Sequence, residues 1–128
     1  MTWLLDTHGL IWALAGDDRL SPRARSIVAD PANRVLVSAA TAWEVALKVA
    51  IGRLTIPVAP ERLIEIVTGP MRMETVAIEF AHALAAAALP PIHRDPFDRL
   101  IVAQAQALGV PILTADPRVA AYGVATVW

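Results

Sequence analysis

Four acidic residues, Asp6, Glu44, Asp98 and Asp116, each lie close to the point where an apolar segment gives way to a helix. If those apolar segments are strands of one parallel sheet, their carboxyl ends and the following helix starts share one edge. Four carboxylates gathered there repel one another strongly, because a low dielectric strengthens the interaction of like charges. A divalent cation would relieve that repulsion, and such an ion can activate water against a phosphodiester. The pattern therefore predicts a metal-dependent hydrolytic site.

Two of these acids also have a purely structural interpretation. Asp6 could cap the first helix. Thr41-x-x-Glu44 matches a capping box, and Glu44 could instead pair with Lys48, four residues further on. Capping alone does not explain Asp6, since Asn or Ser would cap the helix as well without placing a full charge at a buried strand end.

The other two acids lie in or just after an Asp-Pro pair, which is typical of a helix start. Asp95-Pro96 is a ready N-cap, which places Asp98 in the first helical turn, where a carboxylate favours the helix dipole. Asp116-Pro117 repeats the signature. Because Asp95 can cap its helix unaided, Asp98 has no structural necessity, and the joint pattern favours a functional site.

The segments that must position the acids alternate between strands and helices. Strands are predicted at Thr2–Leu5, Arg34–Ser38, Met73–Val76, Val110–Thr114 and Val124–Val127. Helices are predicted at His8–Ala15, from Ser21-Pro22 to about Ala29, through Trp43–Ile51, and at Glu61–Thr68, Ala77–Leu89 and Asp95–Leu108. This alternation predicts a single α/β domain over residues 1–128, with a five-stranded, mainly parallel sheet flanked by helices.

The helix through Trp43 is the clearest of these elements. Apolar residues cover two of its faces and leave only the line of Glu44 and Lys48 polar, with Gly52 placed just past its end. We therefore expect this helix to be largely buried, with Trp43, like Trp3 in the first strand, in the core.

Composition narrows the possible function classes. The hydrophobic fraction is 56% and the charged fraction 18%, below the roughly 25% charged residues of typical proteins. The apolar excess indicates either a surface that meets a partner or an alanine-rich core. Net charge is −1, but without the four clustered acids eight acidic residues face eleven basic ones, ten of them arginine. The absence of cysteine excludes thiolate chemistry, and with no signal-peptide pattern or membrane span it fits a cytoplasmic protein.

Four segments carry a family resemblance: LLDTHGLIWAL, VSAATAWEVALKVAIGRL, LPPIHRDPFDRLIVAQA and LTAD. In this order they resemble the PIN-domain ribonucleases, in particular the VapC-type toxins of bacterial type II toxin–antitoxin pairs. The resemblance covers nearly the whole chain, and it carries the acidic quartet of that family onto Asp6, Glu44, Asp98 and Asp116. It implies a five-stranded parallel sheet, a homodimer and an antitoxin bound across the site or its approach.

The resemblance also implies an activity. It is that of a Mg²⁺- or Mn²⁺-dependent endoribonuclease, which cleaves structured RNA such as tRNA or rRNA, stops translation and is neutralised by a cognate antitoxin. Since Mg²⁺ keeps several waters, one or two direct carboxylates suffice. We expect Asp6 and Asp98 to bind the ion directly, and Glu44 and Asp116 to act through water or to hold a second ion.

Residues around the acids are candidates for supporting roles. Four cations could hold neighbouring phosphates, or could instead form a solvated face or salt bridges; they are Lys48, Arg94, Arg99 and Arg118. Thr7 and Ser38 could hydrogen-bond a ligating carboxylate or cap helices.

The sequence gives less specific indications of the roles of the histidines and of one further tryptophan. His93 could contact RNA or bond loop backbone, whereas His8 and His82 are interpreted as structural. Trp12 is a candidate for the dimer or antitoxin surface. The alternative function is a non-catalytic PIN-fold binding module, in which the acids are helix caps and no metal is bound.

Overall fold

Five strands form one fully parallel sheet in the computed structural model, which describes all residues from Met1 to Trp128. The strands are β1 (Thr2–Leu5), β2 (Arg34–Ser38), β3 (Glu74–Val76), β4 (Ile112–Leu113) and β5 (Thr126–Val127). The helices are α1 (Thr7–Ala15), α2 (Pro22–Ala29), α3 (Ala39–Ala50), α4 (Leu63–Thr68), α5 (Phe80–Ala88) and α6 (Pro96–Leu108). Short 3₁₀ turns lie at Pro60–Arg62 and Val119–Tyr122. The predicted α/β fold class is confirmed.

The sheet is covered on both faces, as successive side chains of β1 show. Leu4 packs into one core cluster with Ile101 and Val102 of α6. Its neighbour Leu5 packs into a second cluster with Leu10 of α1. Because alternate strand residues point to opposite faces, a strand buried on both sides is apolar wherever it is buried, and the three buried residues of β1, at positions 3–5, are all apolar.

The strand order β3-β2-β1-β4-β5 locates the site edge. The chain moves from β1 through β2 to β3 on one side, and later places β4 and β5 on the other. The order therefore reverses between β1 and β4, and ligands of such sheets bind in the crevice outside the carboxyl ends at this point. Asp6 follows β1 and Asp116 follows β4, so both belong to this crevice.

Helix α3 corrects one prediction. It is not largely buried: Trp43 is 59% exposed and Ile51 is 55% exposed, whereas Glu44 is only 2% exposed. The helix leaves the end of β2 with the face of Glu44 and Val45 turned inward, so the opposite apolar row points away from the sheet. The placement of Trp43 in the core is therefore wrong, while that of Trp3, 7% exposed, is confirmed.

Helix α5 begins three residues later than predicted. The backbone N–H of Glu79 donates to Nδ1 of buried His82 at 3.0 Å, which marks the helix start and confirms a structural role for that histidine. The carbonyl of Ala77 instead accepts from Nε2 of buried Gln104 in α6 at 3.1 Å. None of the helices is long and apolar enough to span a bilayer.

Candidate metal and active site

Asp6 lies between β1 and α1 and uses its two carboxylate oxygens differently. Oδ1 accepts the backbone N–H of Gly9 at 2.7 Å, so Asp6 does cap α1. Oδ2 accepts the hydroxyl of Thr114 at 2.5 Å. Burial raises the pKa of Asp6, although the hydrogen bonds from Thr114 and Gly9 oppose this. Capping occupies only one oxygen and does not exclude a second role.

Thr114 connects two of the acids and was missed in the sequence. Its buried side-chain oxygen donates to Asp6 and also accepts the backbone N–H of Asp116 at 3.0 Å. One hydroxyl therefore bridges the carboxyl ends of β1 and β4. The sequence signal for this residue is the segment LTAD, in which a threonine precedes the acid by two positions.

Of the two roles predicted for Thr7 and Ser38, helix capping is confirmed for Ser38, and the hydrogen bond to a ligating carboxylate is formed by neither. Oγ1 of Thr7 lies 3.2 Å from Oγ1 of Thr41, and neither hydroxyl reaches a carboxylate. Ser38 caps α3 by accepting the N–H of Ala40 at 3.0 Å, and it donates to Oε1 of Gln104. Both hydroxyls therefore link backbone and side chains within the scaffold.

Asp116 is the most heavily hydrogen-bonded acid. Oδ1 accepts the backbone N–H and Nε of Arg118 at 2.9 and 3.1 Å. Oδ2 accepts Nη2 of Arg118 at 3.0 Å and lies 2.8 Å from Nε2 of His93. Burial alone would raise the pKa of Asp116, but the hydrogen bonds from Arg118 and His93 outweigh it and hold this pKa far below its usual range.

His93 is itself 3% exposed, so the alternative that it contacts RNA is wrong. The sequence places it between apolar Ile92 and charged Arg94, in a loop where burial could not be foreseen.

Asp98 lies in the first turn of α6 and accepts no hydrogen bond. Asp95 caps the helix through the N–H of Phe97 at 2.8 Å, as predicted, so Asp98 is not needed for capping. Burial and the charges of Asp95 and Glu44 raise the pKa of Asp98 to about 6. This carboxylate is therefore repelled by the neighbouring acids, and no hydrogen-bond donor offsets that repulsion.

Glu44 is buried with one oxygen satisfied. Oε2 accepts from Nζ of Lys48, which confirms the predicted ion pair and raises the pKa of that lysine. Oε1 has no hydrogen-bond partner. The capping-box alternative is wrong, because α3 begins at Ala39 and Thr41 already lies inside it. A buried, unsatisfied carboxylate oxygen is costly unless something else binds it.

Two neighbouring cavities collect these side chains. Asp6, Asp98 and Asp116 line one of about 70 Å³, with exposed His8 at its wall. His8 and Glu44 line the other, of about 340 Å³.

The donor atoms fit a hydrated divalent ion. No three His, Asp or Glu side chains converge tightly enough to hold one ion directly. Mg²⁺ and similar hard cations take oxygen ligands and retain several waters, so one or two direct carboxylates are enough. The orphaned oxygen of Glu44 and the unpartnered carboxylate of Asp98 are suitable donors.

The predicted phosphate-binding cations differ in what they contact. Arg99 donates from Nη1 and Nη2 to four backbone carbonyls between Ala87 and His93, at 2.9 to 3.3 Å. Its terminal nitrogens are therefore committed to the α5–α6 connection, and the predicted phosphate contact is not supported. Lys48 and Arg118 pair with acids of the quartet, while Arg94 is exposed without an ion pair.

One further cavity has an entirely different lining. An apolar cavity of about 330 Å³ lies between α3, α4 and the ends of β2 and β3. Its lining includes Leu10, Leu63 and Val67 but no titratable group. It can hold apolar side chains, but it has no group for acid–base or metal chemistry.

This geometry defines a class of α/β protein. Its parallel sheet has the strand order 3-2-1-4-5, and acids converge between β1 and β4, where that order reverses. A family model described as the PIN domain matches residues 3–125. The chain belongs to the PIN domain family. The family resemblance seen in the sequence is thereby confirmed.

Solved structures with this fold come from several bacteria. The chain is similar to VapBC2 from Rickettsia felis bound to a promoter DNA fragment, with TM-score 0.70, 14% identity and coverage of 99% of this chain and 98% of that one. It is similar to a toxin–antitoxin complex from Klebsiella pneumoniae, with TM-score 0.66, 20% identity and coverage of 98% and 95%. VapBC-1 from nontypeable Haemophilus influenzae gives TM-score 0.66, 21% identity and coverage of 99% and 97%. Comparison with curated proteins gave no match.

Proposed function

We propose that this protein is a VapC-type toxin, a Mg²⁺- or Mn²⁺-dependent endoribonuclease that cleaves structured RNA such as tRNA or rRNA and thereby stops translation in the cytoplasm. The observation that supports this most strongly is the shared cavity of Asp6, Asp98 and Asp116, with the orphaned oxygen of Glu44 nearby. Helix caps alone do not require three carboxylates in one cavity.

Each acid has a role in this proposal. Asp6 and Asp98 bind the ion directly, and Glu44 and Asp116 bind its waters or a second ion. When bound, the ion supplies Lewis-acid activation of water and stabilises charge on the phosphate. The side chains supply the negative charge that holds it, while Thr114 keeps Asp6 in place.

The larger cavity beside the acids supports a nucleic-acid substrate. Its wall combines the ring of Trp12 with three cations, Arg19, Lys48 and Arg53. The guanidinium of Arg19 lies 5.2 Å from the centre of a Trp12 ring. Aromatic rings and cations together suit unpaired bases and their phosphates. Arg118, which lines the acid cavity, and exposed Arg94 are proposed to bind neighbouring phosphates.

The decisive experiment measures cleavage of total RNA and of single-stranded DNA with Mn²⁺ and with EDTA. We expect RNA cleavage only with metal, abolished in Asp98→Asn and unchanged in Asp18→Asn, an exposed acid outside the site. The alternative, a non-catalytic binding module, predicts neither cleavage nor a rise in melting temperature on adding Mn²⁺. Absence of both in the parent protein would refute the nuclease.

Two protein partners belong to the proposal. The first is a cognate antitoxin, suggested by the toxin–antitoxin complexes that share the fold. The second is another copy of this chain, because α3, its C-cap residue and α5 leave large apolar side chains exposed: Trp43, Leu47, Ile51, Phe80 and Leu84. Light scattering should give a dimer mass for the parent and a monomer mass for Leu47→Arg. A monomeric parent would remove the homodimer from the proposal.

A further inference from the structure

A buried histidine–tyrosine pair lies behind Asp116. His93 and Tyr122 stack with ring centroids 5.5 Å apart and an interplanar angle of 15°. Oη of Tyr122 accepts the backbone N–H of His93 at 2.8 Å and lies 2.9 Å from Nδ1 of the same residue. Nε2 of His93 lies 2.8 Å from Oδ2 of Asp116. The three side chains form one continuous hydrogen-bonded chain.

The pattern of donors and acceptors defines the direction of that chain. Because the tyrosine oxygen accepts the backbone N–H, its own proton is free to be donated to Nδ1 of His93. Nδ1 is then an acceptor, which leaves the proton of a neutral imidazole on Nε2. From there it is donated to Asp116. The acceptor-only carboxylate of Asp116 and the hydroxyl of Tyr122 therefore favour the same tautomer, with the proton on Nε2 of His93.

This arrangement exceeds what a cap needs. Asp95 caps α6 with the N–H of Phe97 and contacts no buried histidine. The other donor to Asp116, Arg118, has a side chain that is 60% exposed. Tyr122 belongs instead to the core cluster under α6. His93 and Tyr122 therefore hold Oδ2 of Asp116 from the buried side, whereas the guanidinium of Arg118 holds the carboxylate from the solvent side.

We propose that His93 and Tyr122 are positioning residues that hold the carboxylate of Asp116 ready to bind a divalent cation or its waters. The inference rests on the proposed function, since it concerns the same acid cavity. Neither residue touches substrate in this role. Outer residues that orient a metal-binding carboxylate typically contribute 10- to 100-fold to metal affinity.

The test measures Mn²⁺ affinity of the full-length protein from the electron paramagnetic resonance signal of the free ion, without reference to activity. We expect Tyr122→Phe, which keeps the ring and loses only the hydroxyl, to weaken binding roughly 10- to 100-fold. His93→Leu should weaken it similarly. His93→Gln should restore much of the affinity, because an amide can donate to Asp116 without help from Tyr122.

A packing control separates positioning from general loosening. Val124→Ala removes buried volume from the same core cluster without touching the chain. It should lower the melting temperature but leave Mn²⁺ affinity within about twofold, because the hydrogen bonds between Tyr122, His93 and Asp116 keep all their donor and acceptor atoms. An equal loss of affinity in Val124→Ala and Tyr122→Phe would overturn the proposal.

Coupling through Asp116 gives the sharpest outcome. In an Asp116→Asn background, adding Tyr122→Phe should cause little further loss of affinity, because the carboxylate being positioned is already gone. If Tyr122→Phe weakens Mn²⁺ binding as much in the Asp116→Asn background as in the parent, positioning is overturned while the metal site stands. The same holds if Tyr122→Phe and His93→Leu both fold and bind Mn²⁺ with wild-type affinity. A parent protein that binds no Mn²⁺ would instead overturn the proposed function, and positioning with it.

Discussion

Asp98→Asn should stabilise the protein in the absence of metal, although it removes a charged residue from the proposed active site. Burial and neighbouring charges raise the pKa of Asp98 from 3.8 to about 6. Each unit corresponds to about 1.4 kcal/mol, which gives an upper bound of about 3 kcal/mol of destabilisation at neutral pH. Asp98 keeps part of its surface in water, so screening reduces the expected gain to roughly 1–2 kcal/mol. The melting temperature should rise by roughly 3–8 °C in a chain of this size.

The pH dependence has a definite sign. The pKa of this carboxyl is higher in the folded than in the unfolded state, so folding is favoured by the protonated form. The penalty of the ionised form is absent below the unfolded value of 3.8 and grows as pH rises towards about 6. The advantage of Asp98→Asn should therefore be near zero at pH 4 and full at pH 7.5.

Thermal melts with EDTA at both pH values measure this, with Asp18→Asn as the control. That exposed acid makes no ion pair, and its replacement should change stability by less than about 0.5 kcal/mol. A wild type more stable than Asp98→Asn at pH 7.5 in EDTA would refute the electrostatic reasoning. With Mn²⁺ the order should reverse, because only the wild type retains the full binding site.

Three further substitutions test the scaffold by denaturant melts with EDTA. Gly9→Ala should destabilise by about 1–3 kcal/mol through overpacking, because its Cβ would lie 2.5 Å from Cδ1 of fully buried Leu5. Ser38→Ala should cost about 2–4 kcal/mol, since it removes a helix cap and a partner of a buried amide. Lys48→Met should cost about 3–5 kcal/mol by leaving buried Glu44 uncompensated, and Mn²⁺ should restore part of the loss.

Each of these has a result that contradicts it. Gly9→Ala as stable as the parent would mean that Leu5 repacks freely. Ser26→Ala, at an exposed helical serine without a side-chain hydrogen bond, is the control for Ser38→Ala and should be within about 0.5 kcal/mol of the parent. A Lys48→Met protein of unchanged stability would mean that Glu44 is solvated rather than buried.

Local sequence patterns predicted the positions of the strands and helices better than they predicted which face of a helix is buried. The bounds of β1 and β2 agree with the sequence to the residue, because each apolar run ends at a polar residue that caps the next helix. β4 spans only Ile112–Leu113, shorter than its apolar run, since only these residues pair with β1. Apolar residues on two sides of α3 gave no basis for choosing which side meets the sheet.

Contacts between distant residues explain what the sequence could not reveal of the site. The four acids could be grouped because each lies near the end of a strand or the start of a helix, within six residues of it for Glu44, and the topology brings such positions to one edge. Thr114 and Asp6 are 108 residues apart, and His93 and Tyr122 are 29 apart. No local pattern specifies that their side chains meet, because rotamers and helix packing decide it.

The partners of the acids indicate how the site tolerates its own charge without a metal. Asp6 is held by Thr114 and a backbone N–H, Glu44 by Lys48, and Asp116 by Arg118 and His93. Only Asp98 has no donor, and it carries the raised pKa of about 6. The chain therefore neutralises the periphery of the cluster with its own groups and leaves one carboxylate uncompensated. A cation entering the cavity gains most from that carboxylate, because it replaces repulsion there rather than an existing hydrogen bond.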